Sequence, residues 1–135
     1  MTRAWTRTTR VQHQHRRAST AGAAGLTDLD AAAVAEILTS NTSVTEVYLN
    51  FNEEIGDEGA KALAEALKVN ATVKKLDLDG CGIGDDGAAA LAEALRSNTS
   101  LTKLALMFNK SIGEQGKQLL RDAVAGREGN FRLDL

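Results

Sequence analysis

The sequence is organised around Ile55–Gly82, which has the sequence IGDEGAKALAEALKVNATVKKLDLDGCG. Ile83 begins a second copy, IGDDGAAALAEALRSNTSLTKLALMFNKS, and Ile112 begins a third, IGEQGKQLLRDAVAGREGNFRLDL. A looser copy, LTDLDAAAVAEILTSNTSVTEVYLNFNEE, begins at Leu26. The copies start at residues 26, 55, 83 and 112, so they are spaced by 29, 28 and 29 residues. A regular period of this length is typical of stacked repeat proteins.

The first half of each unit has the period of an amphipathic helix. Small and apolar residues recur at i, i+3, i+4, i+7 and i+8 in two successive units, at Gly59, Ala62, Leu63, Ala66, Leu67 and at Gly87, Ala90, Leu91, Ala94, Leu95. An acid precedes each stripe, and the three aspartates among them can cap unpaired helix amides: Asp28, Asp57, Asp85 and Glu114. An asparagine stands where each of the first three helices should end, and we expect left-handed C-caps at Asn41, Asn70 and Asn98.

The second half of each unit changes to a period of two. The three central copies share the pattern L-x-x-L-x-L-x-x-N/C, with Val in place of some Leu, and they begin at Val44, Val73 and Leu101. Alternation over so few residues predicts a short strand with one buried face. Strand–helix–strand units predict parallel strands joined by right-handed crossovers. Each unit then buries its apolar stripe against its neighbours.

These units resemble leucine-rich repeats of the ribonuclease-inhibitor-like subclass, and IGDEGAKALAEAL is similar to the repeats of NOD-like receptors. The resemblance covers residues 26–135, or about four units. It implies an α/β fold, a right-handed β-α solenoid with a parallel sheet on the concave face and helices on the convex face. It also implies that Asn52, Cys81 and Asn109 form a buried ladder, whose side chains bond to loop backbone and tie the units together. Irregular backbone that turns inward needs such partners.

Composition limits the remaining possibilities. The single cysteine excludes an internal disulfide and favours a reducing compartment, so we expect a cytoplasmic protein. We also expect no cofactor. A catalytic thiol at Cys81 is the alternative, which its place in the repeat disfavours. Residues 1–27 carry five arginines and no acid, so the rest of the chain has a net charge of −7. An acidic array suits neither nucleic acid nor an anionic membrane surface.

Residues 1–25 lack the repeat pattern and are rich in Arg, Thr and Ser, so we predict a disordered basic tail. The same composition is found in organelle transit peptides, which would change the predicted localisation. Contact with nucleic acid through the arginines is a weaker alternative. A metal site at His13 and His15 is weaker still, because no cysteine or acid lies near them in the sequence.

A solenoid binds partners through the exposed face of its sheet. The alternation predicts a concave-face set of Glu46, Tyr48, Asn50, Lys75, Asp77, Asp79, Lys103, Ala105 and Met107, with Arg132 and Asp134 in the last strand and Phe51 and Phe108 at the rim. Asp77 and Asp79 share a face, as paired catalytic carboxylates do. No histidine or nucleophile accompanies them in the pattern, so we predict no enzymatic activity and no metal site.

Three functional hypotheses follow. The first is a non-catalytic scaffold that binds another protein on the concave face. The second is a GTPase-activating or NOD-like receptor regulatory fragment, since Ran GTPase-activating proteins use this repeat type. The third is a truncated remnant of a longer array. No closing unit follows Leu133 and Leu135, so we also expect an open end that pairs with a further repeat or a second copy.

Overall fold

The computed structural model describes residues 25–127 and 129–135, in which helices and strands alternate. The elements in chain order are α1 (Asp28–Leu38), β1 (Glu46–Tyr48), α2 (Gly56–Leu67), β2 (Lys75–Asp77), α3 (Asp85–Ser97), β3 (Lys103–Ala105), α4 (Glu114–Val124) and β4 (Arg132–Asp134). The predictions for residues 1–24, including the His13 and His15 pair, lie outside the described residues. None of the helices described has both the length and the apolar character needed to cross a membrane.

The strands form one parallel sheet in the order β1-β2-β3-β4. The pairing register aligns Val47, Leu76, Leu104 and Leu133 in one row across the sheet. The first three of these side chains are at most 2% exposed, and the row belongs to a single core between the sheet and the helices. The predicted solenoid of about four β-α units is therefore confirmed.

Consecutive helices approach closely at a glycine in each of the last three units. A Cβ atom placed on Gly87 would lie 2.7 Å from Ile83 Cγ2 and 3.0 Å from Ala60 Cβ of the preceding helix. Gly59 and Gly116 have similarly crowded surroundings. Contacts this short leave no room for a methyl group, so the glycines set the spacing between the helices. Asp30 holds this position in α1, where it instead forms a capping box with Thr27.

Two of the three aspartates before the helical stripes, Asp57 and Asp85, cap the helix of the following unit. Asp57 Oδ1 accepts hydrogen bonds from Gly84 N, at the N-cap of α3, at 2.7 Å and from Gly87 N, in its first turn, at 2.9 Å. Asp85 Oδ1 accepts one from Gly113 N at 2.8 Å, just before α4. The N-cap residues Gly84 and Gly113 have no side chain of their own, so the preceding unit supplies the acceptor.

The prediction of left-handed C-caps at the asparagines is wrong. Asn98 is the C-cap of α3 as expected, but its backbone is extended with φ −85°, while α1 and α2 end at the C-caps Thr39 and Lys68. The buried amide of Asn70 instead donates to Leu38 O at 2.9 Å and to Asn41 O at 3.2 Å, in the preceding unit. The Asn70 side chain thus satisfies carbonyl oxygens at the end of the helix in the preceding unit. This role does not require a left-handed backbone at the asparagine.

Candidate functional site: the concave face of the sheet

The concave face consists of the side chains that point away from the helices. The structure leaves Glu46, Tyr48, Lys75, Asp77, Asp79, Lys103 and Met107 at least partly accessible. Two residues of the predicted set are not accessible, because Asn50 is 5% and Ala105 is 2% exposed. The prediction that these two residues contribute exposed surface is therefore wrong.

Local geometry explains both exceptions. Ala105 has a short side chain, and its register partners on the flanking strands are the longer residues Asp77 and Asp134. Asn50 lies after the end of β1, where the chain turns inward and Asn52 Nδ2 contacts Asn50 O at 3.4 Å. Its Oδ1 is buried without a hydrogen-bond partner among the described residues. Alternation alone cannot anticipate either effect, since one depends on neighbouring strands and the other on where the strand ends.

Ion pairs link neighbouring strands across the concave face. Lys75 Nζ lies 3.9 Å from Glu46 Oε2, and Lys103 Nζ lies 4.0 Å from Asp134 Oδ2. Tyr48 donates its hydroxyl to Glu46 Oε1 at 2.9 Å. These pairs are partly exposed, so each contributes little to stability.

Asp77 and Asp79 occupy the centre of the face. Asp79 N donates to Asp77 Oδ1 at 3.0 Å, and Met107 N donates to Asp79 Oδ1 at 2.7 Å. Partial burial, together with repulsion from Asp77 and Asp134, raises the pKa of Asp79 to about 6. Burial also raises the pKa of Asp77. The pair is held by backbone amides, and residues 25–127 and 129–135 contain no cluster of His, Cys, Asp and Glu arranged to hold a metal ion.

Two exposed aromatic rings meet at the rim of the face. Phe51 and Phe108 are 44% and 62% exposed, and their ring centroids are 5.9 Å apart. Both adopt left-handed backbone, with φ of 63° and 64°, as does Gly80 at the equivalent position of the unit between them. A Cβ on Gly80 would lie 2.6 Å from Phe51 Cδ1, so glycine leaves room for the ring. The sequence placed both rings at the rim but not in contact, because they belong to units that are not consecutive.

The N/C positions lie beneath this face. Asn109 Nδ2 donates to Leu78 O and to Leu106 O, each at 2.9 Å. Asn109 Oδ1 accepts from Cys81 N at 2.9 Å, and Asn52 Oδ1 accepts from Leu26 N at 2.8 Å. Each bond crosses from one unit to the one before it or holds a loop within a unit. These side chains therefore hold in place the loops that follow the strands of the concave face.

Cys81 is buried, and its Sγ donates to Leu49 O at 3.0 Å. Burial is the main cause that raises the pKa of this thiol to about 12. A thiol that stays protonated at neutral pH is a poor nucleophile. The local chemistry therefore argues against a catalytic role for Cys81.

Comparisons with known structures identify similar folds. The chain resembles a structure titled Leiomodin-1 Actin-Binding Site 2, with a TM-score of 0.74 and 27% identity over 81% of this chain and 63% of that one. It also resembles the tropomodulin C-terminal domain from Caenorhabditis elegans, with a TM-score of 0.57 and 20% identity over 78% of this chain and 82% of that one. The second likeness, at this identity, concerns the fold alone.

Comparison with known sequences gives a shorter match and a family. A segment of 37 residues is 49% identical to the Protein Cep78 homolog of Drosophila melanogaster, and it covers 27% of this chain and 4% of that protein. The family model described as Leucine Rich repeat matches residues 40–64, 69–92 and 97–118. These ranges span more than half of the sequence, and each begins ahead of a strand and ends within the helix that follows it. The chain belongs to the leucine-rich repeat family.

Proposed function

We propose that this chain is a non-catalytic scaffold that binds a protein partner across the concave face of its sheet. The observation that carries the proposal is the exposed Phe51–Phe108 pair beside a row of partly exposed charges. An apolar anchor bordered by polar groups is the usual composition of a protein-binding surface. The coarser role of a repeat scaffold that binds protein agrees with the family and with the folds that resemble it.

Backbone strain supports a binding role for the aromatic pair. Left-handed backbone is unfavourable for bulky side chains, at a cost of about 1 kcal/mol or more for each residue. Gly80 adopts the same conformation without that cost. Phe51 and Phe108 therefore hold a strained position while more than two fifths of each side chain remains in water. Binding would bury the rings and recover apolar surface that folding leaves exposed.

The charged row supports a partner of mixed charge. Lys75 and Lys103 stand next to each other on β2 and β3, and each has a carboxylate about 4 Å away, from Glu46 and Asp134 respectively. A partner that brings carboxylates for the lysines and cations for Glu46 and Asp134 can replace these pairs without leaving a buried charge unpaired. The charged residues on the face can thus discriminate between partner surfaces by charge. The aromatic pair at the rim can add affinity for the partner.

Actin is the partner that we propose to test first. One solved structure that resembles this chain, at 27% identity, is that of an actin-binding site of leiomodin-1. The experiment measures the fluorescence anisotropy of labelled monomeric actin while the full chain is added. We expect saturable binding that Phe108→Ser and the Lys75→Glu, Lys103→Glu pair each weaken about tenfold.

Lys74→Glu is the matched control, since Lys74 is exposed and lies immediately before β2. All variants must keep the circular dichroism spectrum of the parent chain. If the parent chain does not bind actin, the proposed identity of the partner is wrong. If actin binds equally to the parent and to the concave-face variants, the proposed binding face is wrong.

A further inference from the structure

We propose that the centre of the concave face binds an arginine side chain of the protein partner. The carboxylates of Asp77 and Asp79 receive the guanidinium, and the exposed aromatic pair lies beside it. This inference rests on the proposed function, because it names the chemistry by which a partner meets the concave face. The open oxygens of the two carboxylates, a buried oxygen of Asn50 and the position of the rings each support it.

The two carboxylates at the centre of the face each keep one oxygen open. Asp79 N donates to Asp77 Oδ1 at 3.0 Å, and Met107 N donates to Asp79 Oδ1 at 2.7 Å. Within the described part of the chain, Oδ2 of these two side chains accepts no hydrogen bond, and neither Oδ2 is buried. The backbone amides thus hold the carboxylates in place and leave two acceptor oxygens for a ligand.

Negative charge at this place is unfavourable in the free chain. The lysines of the face, Lys75 and Lys103, form ion pairs with other carboxylates, and neither pair involves Asp77 or Asp79. Burial, together with repulsion from Asp77, raises the pKa of Asp79 to about 6. The protein therefore carries a charge here that its own surroundings disfavour at neutral pH, and a cation from a partner would offset that cost.

A buried oxygen beside the carboxylates lacks a hydrogen-bond donor. Asn50 holds the position of Asp79 one unit earlier, is 5% exposed, and has an Oδ1 without a partner among the described residues. Asp79 Oδ1 accepts from Met107 N in the next unit, so the same bond one unit earlier would join Asn50 Oδ1 to Asp79 N. Asp77 Oδ1 takes that amide instead. When a guanidinium draws Asp77 outward, Asp79 N becomes available to Asn50, and the buried oxygen gains the donor that it lacks in the free chain.

The aromatic pair favours arginine over lysine. Phe51 and Phe108 each follow the residue that flanks Asp79 in the sheet, and Phe51 N donates to Asp79 O at 2.7 Å. The rings therefore lie one residue beyond the carboxylate. A guanidinium is planar, donates through a fork that matches carboxylate oxygens, and stacks on aromatic rings, whereas an ammonium is a compact point charge. An arginine of the partner can thus bond the open oxygens while its plane lies against a ring.

Small probes that carry a single side chain test this inference. Acetyl-arginine amide is compared with acetyl-citrulline amide, in which an uncharged urea group replaces the guanidinium, and with acetyl-lysine amide. NMR of the ¹⁵N-labelled full chain at pH 7.5 follows the amide signals of Asp79 and Met107 during each titration. We expect saturable shifts with a millimolar dissociation constant for the arginine probe. The citrulline probe should bind at least about tenfold more weakly and the lysine probe about threefold more weakly.

Variants of the full chain locate the site. Asp79→Asn removes one of the two charges and should weaken binding of the arginine probe about tenfold. Asn50→Leu should weaken it about fivefold, because Asp79 N then has no acceptor when Asp77 turns outward. Asp86→Asn is the matched control, since it makes the same change as Asp79→Asn on an exposed residue of α3. The spectra of the free variants must match that of the parent chain away from the substituted residue.

Binding of the arginine probe should also depend on pH. A cation at the site favours the deprotonated form of Asp79, whose pKa in the free chain is about 6, so affinity should fall about tenfold from pH 7.5 to pH 5. Asp79→Asn should lose most of this dependence. Other titratable or charged groups share the concave face with the aspartate pair, namely Glu46 and Tyr48 of β1, Lys75 of β2, Lys103 of β3, and Arg132 and Asp134 of β4.

Several results would overturn this inference. They are the absence of saturable shifts with the arginine probe, equal binding of the citrulline or lysine probe, and an unchanged affinity in Asp79→Asn or Asn50→Leu. The outcome is independent of the actin experiment. A chain that binds actin but not the arginine probe retains the proposed function and contradicts the arginine site. A chain that binds the probe but not actin retains the arginine site and requires a different protein partner.

Discussion

Arg127 Nη1 donates to the backbone carbonyl oxygen of Leu95 at 2.8 Å. Asn98 Nδ2 makes the equivalent bond to Leu67 O, also at 2.8 Å, one unit earlier. Arg127 Nη1 also bonds Asn98 O, just as Asn98 Nδ2 bonds Asn70 O. The arginine of the last unit therefore continues the line of buried asparagine amides, although its side chain differs in length and charge. Its guanidinium also stacks over Phe131 at 4.8 Å from the ring centroid.

Arg127→Ala should lower the free energy of unfolding by about 1–3 kcal/mol, because it removes donors to the carbonyls of Leu95, Asn98 and Leu101. Urea unfolding followed by circular dichroism measures this change. Arg121→Ala is the control, since Arg121 forms an exposed ion pair of 4.0 Å with Glu114, and this substitution should cost less than about 0.5 kcal/mol. Equal effects of the two substitutions would contradict the role given to Arg127.

Asp57→Ala should destabilise the chain by about 1–2 kcal/mol, because Gly84 N and Gly87 N lose their acceptor at the start of α3. Asp57→Asn keeps an acceptor oxygen and should cost less than Asp57→Ala. Hydrogen exchange measures where the loss falls. We expect faster exchange at the first turn of α3 rather than of α2, and the reverse pattern would show that Asp57 caps its own helix.

Gly87→Ala should cost about 1–3 kcal/mol, since the new methyl group would crowd Ala60 Cβ and also Asp57 Oδ1, which lies 2.7 Å from the added atom. Thermal melting and a urea titration both give this value. Gly126→Ala is the matched control, because nothing lies within 4 Å of a Cβ at Gly126. If Gly87→Ala were as stable as the parent chain, the helices would have to move apart more easily than the core packing indicates.

The raised pKa of Asp79 predicts that this residue makes the fold less stable as pH increases. Its pKa is 3.8 in the unfolded chain and about 6 in the folded one, so the folded state holds the proton more tightly between these values. The contribution of Asp79 is favourable below pH 3.8 and is lost as pH rises through 6. Because the residue is partly exposed, we expect a change of only about 1 kcal/mol.

Asp79→Asn tests this dependence, since it removes the titrating group and keeps an acceptor for Met107 N. The variant should be about 1 kcal/mol more stable than the parent chain at pH 7 and equal to it near pH 4. The comparison uses urea unfolding at both pH values. A constant difference between the two proteins would show that Asp79 titrates in the folded chain as it does in the unfolded one.

Much of the fold follows from local pattern in the sequence. The change from helical to alternating period in each unit predicted four helices and four short strands, and the regular spacing predicted their stacking. Leu76 and Leu104 occupy the aligned row that this spacing requires. These features depend on the repeat distances of helix and strand, which are properties of the chain itself. The sequence also identified most of the accessible residues on the concave face.

The contacts between units could be identified only from the tertiary structure. The sequence located Asp57 before its own helix, but the structure shows that it caps the next one, because stacking brings Gly84 within reach of its carboxylate. Stacking also brings Phe51 and Phe108 together over Gly80 and places Ala105 between Asp77 and Asp134. The sequence by itself determined the unit and its period, since both are encoded within about thirty consecutive residues. Only the tertiary structure decided which groups of different units meet, because that depends on the spacing between stacked units.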